Sequence, residues 1–232
     1  MKGIMDKPPK KLFELMQLMF KPNPWHAVPI GERAPEVVNV YIEIMPKDTI
    51  KYELDKQTGL LKIDRPQRFS NICPTLYGFV PQTYCGDRVG QFCATQINRP
   101  GMIGDGDPVD ICVLSQKEVT HVNILLQAIP IGGLRMIDKD EADDKIIAVM
   151  KGDATYGEWR DIADCPPSLI EPLRHYFLTY KDVPGGPSPL VELPQIYGSE
   201  EAHEVIRRSR ADYLDKFGDV EMMLKTAIDG LA

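Results

Sequence analysis

Alternation of apolar and polar positions dominates the middle of the chain. From Val38, "VNVYIEIMP" buries every second side chain of an extended segment, and "IKYEL" repeats the pattern after a short polar break. A "DKQTG" turn ending at Gly59 leads into "LLKIDR". "LYGFV", "VDICVL", "ILLQAIPI" and "KIIAVM" follow, each short and rich in β-branched or bulky apolar residues. No helical periodicity is apparent between them. The pattern predicts at least five strands in an antiparallel sheet or a small closed barrel, and argues against βαβ units.

Helical periodicity gathers at the two ends. "KKLFELMQLMF" predicts a short amphipathic helix over 10–20, followed by the proline-rich connection "KPNPWHAVPIGERAP". Near the C-terminus one helix is predicted from "SLIE", where Ser168 and Glu171 have capping-box spacing, to about Lys181. Pro172 falls close enough to its start that the missing N–H costs little. A second helix is predicted from about Ser199 to Phe217. Glu200 and Glu201 lie in its first turn and Arg207, Arg208 and Arg210 further along, in keeping with the helix dipole. "DVPGGPSP" between them reads as a loop. The division expected is an extension over 1–37, helix plus proline-rich segment, packed on a single domain over 38–232.

Composition narrows the function. The 232 residues are 43% hydrophobic and 26% charged, with 27 basic and 34 acidic residues for a net charge of −7. That balance lacks the basic footprint of a nucleic-acid binder and suits a protein that gathers cations. Five cysteines without a CxxC spacing suggest free thiols in a reducing compartment, and Cys85 with Cys93 is a weak zinc half-site beside four scattered histidines. The "KKLFELMQLMF" stretch carries Glu14 and Gln17 and lacks a small-residue cleavage site, so it reads as neither signal peptide nor membrane span. A cytoplasmic protein that engages no membrane is expected.

The chemistry concentrates in "GDGDPVDICVL", residues 104–114, where three aspartates fall within six positions. Like charges about 4 Å apart cost roughly 1 kcal/mol in water and several times more when partly buried. Asp105 and Asp107 share parity, Pro108 stiffens the segment, and Asp110 opens a strand on which Ile111 and Val113 face away from Cys112 and Leu114. Three carboxylates are therefore expected to converge at a strand mouth. A solvated acidic turn is one reading. A calcium loop fails, because its sixth and twelfth positions hold Asp110 and Gln116. An aspartyl-nucleophile phosphatase is weakened by the poor strand "NRPGMIG". A multi-ion magnesium site remains. A second cluster, "GGLRMIDKDEADDKIIAV", gathers Asp138, Asp140, Glu141, Asp143, Asp144 and Lys145 before another apolar strand. Alone it would be a charged hairpin turn; together the two clusters suggest a polyanion held by metals.

"DGDPVD" followed by "GGLRMIDKDEADDK" resembles the soluble family I inorganic pyrophosphatases. The resemblance continues in order through "YIEI", "IKYELDKQTGLLKIDR", "YGF" and "YFLTYKD", over about residues 38–182. It implies hydrolysis of inorganic diphosphate to two orthophosphates with several Mg2+ ions. The implied fold is mainly β with flanking helices (α+β), a five-stranded OB-like β-barrel core with helices mostly C-terminal. Carried over residue by residue, it implies that Asp105, Asp110 and Asp143 hold the activating metal, with Asp110 bridging to a second ion. Asp138, with Asp143, would hold a further ion, and Asp107 would take the proton from the attacking water. Glu43 and Glu53 would orient metal-bound waters. Lys51, Arg65, Tyr77, Tyr180 and Lys181, with Lys145 nearby, would contact phosphate.

Two departures stand out. Cys73 in "NICPTLYGF" occupies a position where family members often carry tyrosine. The long stretch over 79–104, including "CGDRVGQFC", is expected to form a longer hairpin or flap beside the site, peripheral to the chemistry, that alters oligomer contacts or metal access. A homo-oligomer of open order is expected. The rivals are a non-catalytic OB-like binding module and a metal-dependent phosphatase acting on organic phosphate esters.

Overall fold

A computed structural model describes residues 23–183, 185–186, 191–219, 222–223 and 226–227. The helix expected over 10–20 lies outside them. Strand β1 (Val38–Ile44) pairs antiparallel with β4 (Leu76–Phe79), which pairs antiparallel with β6 (Asp110–Leu114). β6 runs parallel to β9 (Lys145–Met150), β9 is antiparallel to β7 (Ile124–Asp138), and β7 returns antiparallel to β1. Five strands thus close into a ring, which matches the closed barrel and not the open antiparallel sheet of the two arrangements expected. Closure leaves none of the five with a free edge.

β7 is long enough to leave the ring. Beyond a register shift between Pro130 and Gly132 it carries β10 (Val191–Gly198) and turns through Lys139 and Asp140, both at positive φ, into β8 (Glu141–Ala142). β8 pairs parallel with β5 (Ile103–Gly104). The hairpin of β2 (Ile50–Leu54) and β3 (Leu61–Pro66) stands apart as a two-stranded ribbon.

The core follows the strand parity. Ile111 and Val113 join the cluster of Val38, Val40 and Ile42, whereas Cys112 and Leu114 face Leu134, Leu173 and Phe177. Each aliphatic side chain so buried is worth about 1.5–3 kcal/mol. Gly78 in "YGF" is required by close approach, since a Cβ there would lie 1.8 Å from the Tyr41 carbonyl oxygen.

Three elements differ from expectation. The 79–104 stretch is not a hairpin; it contains helix α2 (Asp87–Gln96), the second helix after the short turn α1 (Pro24–Ala27). α2 buries Val89, Gly90 and Cys93, and a Cβ on Gly90 would lie 2.8 Å from the Ile103 backbone, so the segment is packed against the core. Its first N–H groups are capped from a distance by Asp212, which accepts from Gly86 N (3.0 Å), Arg88 N and Val89 N (3.2 Å). The helix α3 (Pro167–Thr179) begins one residue before Ser168, with Pro166 at the N-cap and no side-chain cap, so the Ser168–Glu171 box does not form. β10 is a strand that the pattern did not announce. α4 (Ser199–Phe217) has the expected bounds.

In the described part of the extension, Trp25 is buried, donates from Nε1 to the Thr83 carbonyl oxygen at 2.7 Å, and stacks edge-on against Phe217 of α4. Among the described residues no helix is long and apolar enough to cross a membrane.

Candidate active site

Both acidic clusters open into one cavity of about 380 Å³. Asp110 and Lys145 are the first residues of β6 and β9, directly paired, so they enter side by side. Asp143 immediately precedes β9, and Asp138 ends β7. Tyr77 projects from β4 opposite Cys112. Lys51 and Arg65 face each other across the β2–β3 ribbon. Tyr180 and Lys181 follow the last turn of α3.

The "DGD" loop supplies Asp105 and Asp107 in a different way from the extended segment expected. Gly106 has φ +80°, a conformation that favours glycine, and Asp107 N donates to Asp105 Oδ1 at 3.0 Å. The turn is clamped from behind: Cys85 N donates to Asp107 O (2.8 Å) and Gly106 N to Cys85 O (3.0 Å). Parity therefore does not aim these two carboxylates. Asp105 reaches inward toward Asp143, whereas Asp107 turns outward to the ammonium of Lys56.

Lysine makes the carboxylate density tolerable. The Lys145 ammonium touches Asp110 (2.5 Å) and Asp143. Burial opposes its charge, but the carboxylates of Asp110 and Asp143 hold its proton well above the ordinary range. Burial, and after it the Asp143 charge, pushes the Asp105 carboxyl up. Lys181 pairs with Asp138 in the same manner.

Glu43 and Glu53 line a smaller adjoining cavity of about 90 Å³ that shares Lys51, Tyr77, Asp107 and Asp110 with the first. Glu43 accepts from Leu54 N at 2.6 Å, and burial pushes its carboxyl up to about 8. Glu53 lies 3.6 Å from the Lys51 ammonium.

Every residue to which the resemblance assigns a role thus reaches one of two joined cavities. Polar neighbours given no role there are Asp64, which holds Lys51 at 2.9 Å, and Tyr52, Lys56, Glu141 and Tyr176, of which Glu141 alone was named, as part of the acidic run. Asp64 was legible as the neighbour of Arg65 on a strand paired to Lys51. Asp140 and Asp144, from the same acidic run, do not enter. Asp140 points outward to Arg99 and Asp144 is buried against Arg135. Cys85 and Cys93 are buried thiols, and burial raises both.

Among the described residues no three His, Cys, Asp or Glu side chains close on a single point; lysine ammonium groups stand between the carboxylates. The groups that could turn toward a cation at this cavity are carboxylate oxygens, a hard donor set that fits magnesium or manganese better than a thiophilic metal.

The family model for inorganic pyrophosphatase matches residues 40–214, a span that takes in every site residue above. The chain belongs to the inorganic pyrophosphatase family. The inorganic pyrophosphatase of Chlamydia muridarum is 52% identical over 199 residues, covering 84% of this chain and 95% of that protein. The soluble inorganic pyrophosphatase of Oryza sativa subsp. japonica is 42% identical over 159 residues, covering 68% and 65%. Among solved structures, the inorganic pyrophosphatase of Thermus thermophilus matches with a TM-score of 0.69 at 29% identity, covering 82% of this chain and 98% of that one. That of Helicobacter pylori matches with a TM-score of 0.66 at 32% identity, covering 81% and 98%. Family I pyrophosphatases are metal-dependent, in keeping with the carboxylate cavity.

Proposed function

We infer that this chain hydrolyses inorganic diphosphate to two orthophosphates. The observation that carries the reading is the meeting, in one cavity, of four family-matched aspartates with Lys51, Arg65, Lys145 and Lys181. Asp105, Asp110, Asp138 and Asp143 would hold several Mg2+ ions, which when bound lower the pKa of water and neutralise phosphate charge. Asp107 has 45% of its side chain exposed and accepts the proton of the attacking water. Arg65 offers a planar fork to phosphate oxygens, and Lys51 and Lys181 add mobile point charges. Tyr77 and Tyr180 donate hydrogen bonds from their hydroxyls to phosphate, and Lys145 sets the charge of the cavity floor. Glu43 and Glu53 orient water at the carboxylate cluster.

The chain acts as one catalytic domain over 38–232 with an extension over 1–37, a reading that the Trp25 contacts support. Five buried free thiols support a cytoplasmic location, and the enzyme works as a homo-oligomer without nucleic acid or membrane.

Phosphate release from diphosphate, with and without Mg2+ and against p-nitrophenyl phosphate, tests the activity. Release from diphosphate alone, abolished by chelation, is expected; preference for the ester would transfer the chain to the organic phosphatases. Asp107→Asn is expected to retain fold and Mg2+ binding while kcat falls about 10²–10⁴-fold. Near-normal turnover in that variant removes Asp107 as the base.

A further inference from the structure

Arg135, on β7, is completely buried, and nothing in the chemistry above uses it. Its Nη1 donates to Asp144 Oδ2 at 2.8 Å, and Nη2 reaches Glu201 on α4. The Tyr197 hydroxyl of β10 donates to the same Asp144 oxygen at 3.2 Å. The guanidinium lies 4.7 Å from the centre of the Tyr197 ring and 5.3 Å from that of Phe92 on α2. Groups from β10, α4 and α2 thus converge on Arg135, and Arg135 and Tyr197 together hold Asp144, which is itself 1% exposed.

Asp144 stands between Asp143 and Lys145, both of which line the catalytic cavity. The 143–145 run lies against β7, with Asp143 N donating to Met136 O at 2.9 Å and Lys145 paired with Leu134. On such backbone, side chains alternate in direction. Fixing Asp144 inward therefore fixes Asp143 and Lys145 outward. A small apolar residue at position 144 would be ordinary core filling; a carboxylate there is tolerated only while its partner is present.

We propose that Arg135 and Asp144 form a positioning pair that locks the 143–145 run, so that Asp143 and Lys145 are presented to the ions and the substrate. The proposal rests on the reading of Asp143 as a metal-holding residue. Phe92 lies between Arg135 and Arg208, 4.6 Å from the latter, so α2 covers the pair and the 79–104 segment contributes to the site through it. Without Arg135, the ionised Asp144 gains by rolling toward water, and the run turns with it.

The test replaces both charges together, because a single substitution strands its partner in the interior. Arg135→Met/Asp144→Asn keeps the approximate shapes and an oxygen for Tyr197. Titration with Mg2+ alone, followed by calorimetry, is expected to show affinity reduced about 10-fold or more. At saturating Mg2+, kcat is expected to fall while KM for diphosphate moves less than about twofold, since Lys51 and Arg65 ride on the separate β2–β3 ribbon. A double variant that is folded by circular dichroism and binds Mg2+ within about twofold of the wild type overturns the proposal. Tyr197→Phe, which deletes one hydrogen bond, decides by the same titration if the double variant fails to fold. It is expected to weaken Mg2+ in the same direction by a smaller factor, and an unaltered affinity overturns the proposal. Because Mg2+ binding is read without turnover, a wild-type protein inert toward diphosphate would overturn the activity and leave the pair to be judged by titration. A wild-type protein that binds no Mg2+ overturns both.

Discussion

Asp153 shows how much one carboxylate can organise away from the catalytic cavity. It is 7% exposed and accepts from Gln116 N (2.7 Å), Thr155 N (2.9 Å), Tyr156 N (2.9 Å) and the Ser115 hydroxyl (3.3 Å). It therefore ties the end of β6 to the turn that follows β9. Burial pushes its carboxyl up, but the N–H donors of Tyr156, Gln116 and Thr155 outweigh burial and hold it below 3.8. A carboxyl depressed in the folded state binds fewer protons there than in the unfolded chain. Its contribution is complete above the unfolded value of about 3.8 and is lost as pH falls through the folded value. Asp153→Asn is expected to cost about 1–3 kcal/mol in urea unfolding at neutral pH. The gap between variant and wild type is expected to narrow steadily as the pH is taken below 3.8. A gap of constant size in acid would show that the charge on Asp153 contributes nothing.

At the scale of elements, α2 changes how the long stretch between β4 and β5 must be understood. Its apolar stripe is narrow, Val89 and Cys93 with partly buried Phe92, and glycine occupies the closest contact at position 90. Such a sequence carries little helical signal by itself, because packing supplies what propensity does not. Its cap comes from Asp212, more than a hundred residues away. Removing residues 87–96 would take Val89 and Cys93 out of the core and strip the buried Asp212 carboxylate of its Arg88 and Val89 donors. The deletion is therefore expected to abolish the cooperative thermal transition seen by circular dichroism. A folded deletion protein with wild-type kinetics would return the segment to the periphery.

For the whole molecule, the relevant quantity is the carboxylate charge that folding gathers around one cavity in a chain of net charge −7. The unfolded chain scatters these groups over residues 105–143, so cations that bind the folded site stabilise it by mass action. Free Mg2+ at a hundred times its dissociation constant is expected to add about 2.7 kcal/mol per ion. That corresponds to roughly 5–10 °C in Tm for a chain of this size. Scanning calorimetry across an Mg2+ series, reversed by EDTA, measures the shift. A transition midpoint indifferent to Mg2+ would contradict the assignment of the aspartates.

The sequence by itself determined the barrel strands and most of the residues that line the candidate site. Strand parity is a local property of the chain, so Ile111 and Val113 could be separated from Cys112 and Leu114 before any partner was known. The acidic and basic residues at strand mouths were legible because spaced motifs in order carry their chemistry with them. The tertiary structure alone decided what local pattern leaves equal. Asp138, Asp140, Asp143 and Asp144 are identical side chains within one short run, yet two enter the cavity, one pairs with Arg99 and one is buried on Arg135. Their directions follow from a turn with two positive-φ residues and from partners elsewhere in the chain. α2 and the bend of the "DGD" loop were hidden for the same reason. Their hydrogen-bond and packing partners, Asp212 and Cys85, are supplied only when the chain folds back on itself.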